Sequence, residues 1–227
     1  MRIRPASTDP RDREQALNLN GETRIDDRGA VLQANWRPSF GGELRSITSY
    51  RDWDVRQLHF DADFGPADLL NLDESFRTRD FSQELAFNGG VDKTPVFHSA
   101  DYVVGVYYAH QKISASRNLR WASQAQTYWD TLLSFSGVPA GAVFAAPGLW
   151  AQDEMSGHSE SLAAFTHWTV SLTDRFKLIA GARFAREKKD GSFFNPFYRP
   201  QPNDIFKVLG VQPGPAYDAS HTDDHGE

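Results

Sequence analysis

The 227-residue sequence contains no cysteine. Disulfide scaffolds, thiolate metal sites and cysteine nucleophiles are excluded at once. A basic excess is also missing: 24 Lys and Arg stand against 30 Asp and Glu, a formal net charge of −6. Binding nucleic acid through its phosphates needs the opposite balance, so no nucleic-acid partner is expected. Long hydrophobic runs are absent too. The longest uncharged stretch, Thr131 to Gln152, is broken by Gly137, Pro139, Gly141, Pro147 and Gly148, whereas a membrane helix needs about 20 mostly apolar residues in a row. No apolar segment follows the basic residues of Met1-Arg2-Ile3-Arg4-Pro5, so no signal peptide is expected there. Against these absences stand 13% aromatic residues within only 40% hydrophobic ones. The length suits one domain with a real core, but the composition favours extended amphipathic surfaces over a thick apolar interior.

What is present is a period of two. Residues 1–29, with Asp9-Pro10, Asn20-Gly21 and Asp26-Asp27-Arg28-Gly29, read as a polar loop or disordered segment. From Ala30 onward six segments alternate. The clearest is Glu160 to Thr173, where Leu162, Ala164, Thr166, Trp168, Val170 and Leu172 oppose Ser161, Ala163, Phe165, His167, Thr169 and Ser171. After Thr173-Asp174-Arg175, the run Phe176 to Arg186 places Phe176, Leu178, Ala180, Ala182 and Phe184 opposite Lys177, Ile179, Gly181 and Arg183, which makes a hairpin. Ala30–Arg37, Glu43–Val55, Arg79–Asn88 and Asp101–Ser114 alternate in the same way. Residues 30–190 thus form the β-rich part, and 191–227 read as a loop or disordered tail.

The connections separate into two kinds. Pro38–Gly42 and Thr173–Arg175 are tight, whereas Arg56–Thr78, Ala115–Gly157 and the stretch after Gly191 are long. A soluble domain seldom carries such loops. Short turns on one rim and long loops on the other are the habit of outer-membrane barrels, and strands of about 9–14 residues suit a tilted crossing. The expected fold is therefore all-β: an antiparallel meander of about six strands, a partial transmembrane β-barrel with long loops on one rim.

Four of these segments carry a family's pattern. Leu44-Arg45-Ser46-Ile47-Thr48-Ser49-Tyr50-Arg51-Asp52 resembles the "L-x-S-I-T-x-Y-R-D" strand of TonB-dependent outer-membrane receptors. Phe81-Ser82-Gln83-Glu84-Leu85 resembles their "F-S-Q-E-L-R" strand, with Ala86 in the arginine position. Tyr102-Val103-Val104-Gly105-Val106-Tyr107-Tyr108 is similar to "W-V-x-G-L-Y-Y", and Leu172 to Phe184 to "L-T-D-x-L-x-L-T-A-G-L-R-Y". The resemblance implies a barrel fragment without plug domain, TonB box or signal peptide, located in the cell outer membrane of a Gram-negative bacterium. It implies energy-coupled uptake of a scarce substrate, typically an iron–siderophore complex. Outer-membrane lipid and that small ligand are the implied partners, with the TonB complex acting through parts of the receptor absent from this sequence.

On this reading Arg45, Arg51, Glu84, His167, Arg183 and Glu187 face the lumen, and Tyr50, Tyr108, Leu162, Trp168, Val170, Leu178 and Phe184 face lipid. Trp36 and Trp53 join the lipid-facing or interfacial aromatics. The loop Ala115–Gly157 is rich in rings, and Trp121, Tyr128, Trp129 and Trp150 are its ligand-contact candidates. Paired carboxylates at Asp61/Asp63 and Asp153/Glu154 have no legible histidine or oxyanion partner, so no catalytic residue and no enzyme activity is expected. His158 and His167 lie nine positions apart on one strand and point to opposite faces, so they cannot share an ion. His221-Thr222-Asp223-Asp224-His225 reads as a solvated tail, and neither metal nor cofactor is expected. The rival reading is a soluble all-β ligand-binding module of carbohydrate-binding type. It needs two sheets with filled inner faces, against which stand the loop asymmetry and the small Ala164, Ala180 and Ala182 on the apolar set.

Overall fold

The computed structural model describes residues 9, 11–12, 16–92, 94–198 and 218–226, with side chains for all of these except 149–150, 196–198 and 218–226. The alternating segments become one antiparallel sheet in which every strand pairs with its neighbour in sequence. Its strands are β1 (Glu22–Trp36), β2 (Glu43–Asp61), β3 (Leu70–Val91), β4 (Ser99–Trp121), β5 (Gly148–Thr173), β6 (Phe176–Tyr198) and β7 (Asp218–Gly226). One helix, α1 (Ala125–Ser134), lies between β4 and β5. The all-β meander is thus observed, with β7 as a further strand. The sheet does not close, since β1 and β7 each pair on one side only.

The strands run well past the ends that hydrophobic alternation marks. β4 has 23 residues and β5 has 26, against an expected 9–14. Glu22–Gly29, read as loop, pair with Arg51–Leu58, and 191–198 and 218–226, read as loop or tail, belong to β6 and β7. The physical reason is the same throughout. The apolar period gives out along each strand, but the backbone ladder continues on polar cross-strand pairs. Arg77 Nε donates to Asp52 at 2.8 Å, Ser75 and Ser116 share a 2.8 Å hydroxyl bond, and Ser156 and Ser192 one of 2.6 Å.

The connections alternate between rims, but the length contrast is smaller than expected: Arg56–Thr78, read as a long loop, is mostly β2 and β3, and among the described residues 122–147 is the long connection. Residues 37–42, 92–98 and 174–175 link strands on one rim, and 62–69 and 122–147 on the other. The tight turn after β1 depends on glycine: Gly41 and Gly42 have φ of +96° and +82°, and Gly41 N donates to Pro38 O at 3.1 Å. On the long-loop rim β2 carries a bulge between Gln57 and Phe60, with His59 at φ +57° and its N–H donating to Asp73 Oδ1 at 2.9 Å.

A compact core cluster also sits on that rim. Trp121, Ala125, Val143 and Ala145 are buried together, with Leu70, Leu119, Trp129 and Leu133 packed around them. α1 places Ala125, Trp129 and Leu133 at intervals of four, hence on one face. The returning chain is tied to the helix by Gln126, which donates to Val143 O and accepts from Ala145 N, and by Asp130, which accepts from Gly141 N.

Candidate functional site: two faces of one sheet

Strand alternation and the pairing register sort the side chains into two sets. Tyr50 pairs with Phe81, Val106 with Ala164, and Leu178 with Val170. Followed along each strand, this puts Tyr50, Tyr108, Leu162, Trp168, Val170, Leu178 and Phe184 on one face. Arg45, Arg51, Glu84, His167, Arg183 and Glu187 fall on the other. Both sequence-derived sets are brought together intact. Trp53, expected with the lipid-facing or interfacial aromatics, is the exception: it pairs with Thr78 and packs edge-on against Phe76 with centroids 5.5 Å apart, on the face opposite Tyr50 and Tyr108.

The apolar face is organised by height. Near the tight-turn rim, Phe40, Phe87, Tyr102 and Trp168 form a continuous row of rings with centroid separations of 6.3, 6.2 and 4.7 Å. Six residues farther along their strands, Phe81 and Tyr108 make a second row at 6.3 Å, extended by Tyr50 beside Phe81. Six residues of strand span about 20 Å. Between the rows lie Leu85, Val104, Val106 and Ala164, and charges are absent. Along β5 the uncharged stretch on this face runs from Leu162 to Leu172, and along β6 from Phe176 to Phe184. These are lengths of about 25–35 Å along the strand. The band is open to its surroundings: Leu162, Leu178 and Phe184 are 59, 52 and 74% exposed.

Several polar groups inside the band find partners within it. Thr48 Oγ1 donates to Gln83 Oε1 at 2.6 Å, and Gln83 Nε2 donates to Ser46 Oγ at 3.0 Å. Trp168 Nε1 donates to Thr166 Oγ1 at 2.8 Å, which in turn donates to Val103 O at 3.1 Å. Beyond the second ring row the face changes character within two residues, to Asp52, Arg79, His110, Glu160 and Arg186.

The polar face carries spaced ion pairs. Arg51 holds Asp27 through two bonds of 2.9 and 2.7 Å, and Arg45 Nη2 donates to Glu84 Oε1 at 3.1 Å. Small residues Ala86, Gly105 and Ala163 form a trough here. A Cβ at Gly105 would meet the Phe165 ring at 2.4 Å. Toward the long-loop rim a cleft of about 310 Å³ opens on this face, lined by Phe76, Met155 and Phe193 with Glu74, Arg117 and Asp153. Arg117 bonds Asp153, which also accepts from Asn195 Nδ2 at 3.1 Å. Sequence alone misses this cleft, because its residues lie on strand extensions with no apolar period.

The ring-rich loop is mostly structural. Trp121 is 5% exposed inside the rim core, so packing rather than ligand contact is its role. Trp129 is half-buried against the same core, while Tyr128, edge-on to Trp129, is exposed. The Trp150 side chain lies outside the described residues, as do those of His221 to His225.

Two carboxylates in the loop at 62–69 respond to the rim. Burial pushes the Asp63 carboxyl above its ordinary value, and neighbouring Asp61 adds to the effect despite the Leu70 N–H that Asp63 accepts at 2.9 Å. Burial also acts on Asp68, but there hydrogen bonds win and lower it. Asp68 accepts from the Ser123 hydroxyl and N–H and from Asn18 Nδ2, tying the loop to the chain that enters α1.

Among the described residues, no group of three or more His, Asp or Glu is placed to hold a metal ion. His158 and His167 lie on opposite faces of β5. No helix is long and apolar enough to cross a membrane, which says nothing of strands. No protein family, curated protein or solved structure matches the chain.

Proposed function

We propose that this chain forms part of the wall of an outer-membrane barrel of the TonB-dependent receptor type. Its charged face would line the lumen and its banded face would meet lipid. The observation that carries the reading is the apolar band of limited height between two rows of aromatic rings, followed on the same strands by an abrupt change to charge. An outer-membrane barrel has such a band, about 25 Å tall between aromatic girdles. A strand tilted by about 40° crosses it in about ten residues, which matches the uncharged stretches. Internal pairing of Ser46, Thr48, Gln83, Thr166 and Trp168 supports the same view, since polar groups in hydrocarbon need partners.

The four strand motifs extend the proposal to energy-coupled uptake of a scarce small substrate, with iron–siderophore complexes as the leading class. The TonB complex would act through receptor parts outside this sequence. Transport of this kind needs no covalent step by the wall. The polar-face cleft beside Phe76 and Arg117 is the place in this segment where a substrate would touch it, at a volume within the small-molecule range. The soluble-module reading finds no second sheet among the described residues to cover the band.

The absence of native cysteine allows a direct test. Single cysteines at successive positions from Thr78 to Asn88, nitroxide-labelled on chain refolded in detergent micelles, should report oxygen access at Phe81, Gln83, Leu85 and Phe87. An aqueous nickel chelate should reach Ser82, Glu84 and, beyond the ring row, Arg79. Uniform chelate access along the strand would exclude the membrane-wall reading.

A further inference from the structure

The polar-face cleft of about 310 Å³ has a floor unlike the rest of its face. In one register row across six strands stand Ile25, Val55, Phe76, Ala115, Met155 and Phe193. None carries a charge, although ion pairs are set along the same face. The last four of the row form the cleft floor, and it is open: Phe76 and Met155 are 36 and 51% exposed. Trp53 braces the Phe76 ring from one side. Removing such a strip from water is favourable, so an apolar body is the natural occupant of the floor.

One row farther toward the long-loop rim, charge lines the same cleft. Glu74, Arg117 and Asp153 stand in register on β3, β4 and β5. Arg117 lies opposite both acids but is committed to one of them. Its Nε donates to Asp153 Oδ2 at 2.9 Å, and its Nη2 donates to the same oxygen. Asn195 Nδ2 donates to Asp153 Oδ1 at 3.1 Å. Glu74 makes no ion pair and no side-chain hydrogen bond among the described residues. The next residues of its row, Gln57 and Thr23, bring no cation. The cleft thus sets two carboxylates against one guanidinium, and that guanidinium is taken. Asn195 adds a second unmet acceptor: it is 8% exposed, and its Oδ1 has no donor. A larger cleft of about 650 Å³ on the banded face makes no such selection, because its arginines are held, Arg56 by Asp54 at 3.0 Å and Arg77 by Asp52 at 2.8 Å.

We propose that the polar-face cleft binds a protonated amine with an apolar body. The body lies on Phe76, Met155 and Phe193, and the ammonium sits against Glu74, about 7 Å along β3 from Phe76. An ammonium has three donors and no acceptor, which is the complement of a carboxylate without a counter-charge. Phe76 and Phe193 add rings that attract a cation over their faces. An anion would meet Glu74 and Asp153 instead, with Arg117 already engaged. The inference rests on the proposal that this face lines an uptake path, and it narrows the substrates of that path to cations.

The test is fluorine NMR on the full chain refolded in dodecyl maltoside micelles, with empty micelles as the blank. The probes are 4-fluorophenethylamine, 4-fluorophenethyl alcohol and 4-fluorophenylacetate, similar in size and different in head charge. The amine should bind about tenfold more tightly than either of the others, as a charge-assisted contact beside aromatic rings allows. Glu74→Gln should bring the amine to the level of the alcohol. Ala115→Phe, which fills the floor, should weaken the amine by about tenfold as well. Glu187→Gln, on the same face and about 20 Å from Phe193 toward the tight-turn rim, should leave it unchanged. Far-UV circular dichroism of each variant in micelles verifies that the sheet is intact. Equal affinity for the three probes, or amine bound normally by both cleft variants, overturns the inference. So does a preference for the acetate. A folded chain in micelles that binds none of the probes sinks this inference alone. A chain that is a monomer in plain buffer and takes up no detergent sinks the membrane-wall reading and the inference with it.

Discussion

Gly42 occupies a position that no other residue type suits. Its φ of +82° lies in the left-handed region, and an added Cβ would meet Asn88 O at 2.8 Å and the Phe87 ring at 2.4 Å. The ring can swing away, but the carbonyl belongs to the β3 ladder. Gly42→Ala should therefore cost about 1–2 kcal/mol, read as a lower urea midpoint in micelles, and faster amide exchange should be confined to the turn and the adjoining ends of β2 and β3. At the opposite rim, Asp63 and Asp68 have opposite pH signatures. The folded-state value of Asp63 is raised, so its contribution is present at low pH and lost as pH rises through that value. That of Asp68 is lowered, so its contribution is present above the ordinary carboxylate value and lost on acidification through the folded one. At pH 7 Asp63→Asn should slow exchange of the Leu70 amide, because the buried charge is gone while the acceptor remains. Asp68→Ala should speed exchange at Ser123 and loosen the entry to α1. Identical exchange in wild type and both variants across pH 3–7 would refute this account of the rim.

Within the strands, the polar cluster of Ser46, Thr48 and Gln83 gives a test that tells hydrocarbon from water. In hydrocarbon, removing one partner strands the others, at about 1–3 kcal/mol per unsatisfied group, whereas replacing all of them with apolar groups is close to neutral. Gln83→Leu should therefore lower the unfolding midpoint in micelles, and the triple variant Ser46→Ala, Thr48→Val, Gln83→Leu should restore most of the loss. If the triple variant is additive and worst, the band faces water. The two faces were legible in the sequence because Leu162 to Leu172 and Phe176 to Phe184 keep a strict period of two. The strand ends were not, because beyond Tyr50, Phe81 and Leu162 the rings of Trp53, Phe76 and Phe193 stand scattered among charges and hydroxyls without a period, and backbone pairing is invisible to hydropathy. α1 escaped for another reason: the ring-rich loop invites reading its aromatics as ligand anchors. Its signal was nonetheless present in Ala125, Trp129 and Leu133, four apart and just after Trp121. Of the ligand-contact candidates, Trp121 failed because a ring's exposure is a property of packing, not of spacing. The clefts were unreadable, since each assembles single residues from four or five strands.

Among the described residues the molecule is a curtain of paired strands in which β1 and β7 each pair on one side and the apolar band is open. Every residue of β1 is exposed, and among the described residues no strand pairs with its outer edge. In hydrocarbon each unpaired group costs several kcal/mol, which is why membrane sheets close. In water the same edge, long and beside an apolar band, is a template for pairing with another chain. Charges at Glu22, Arg24, Asp26 and Arg28 blunt only its upper part; Ala30 to Trp36 has none. Compactness does not rescue the sheet either: among the described residues the cluster of buried rings and aliphatics sits at the rim around Trp121, and within the sheet the buried apolar residues are small ones such as Ala86, Ala100 and Ala163. The 227-residue chain by itself should therefore neither conduct ions nor transport, and in plain buffer it should aggregate. Size-exclusion chromatography of untagged chain with and without dodecyl maltoside measures this directly: material in the void volume or lost on the column without detergent, and a discrete micellar peak with it. A sharp monomeric peak in buffer, unfolding cooperatively, would require the band to be covered by the chain's own residues, and the membrane-wall assignment would then be untenable.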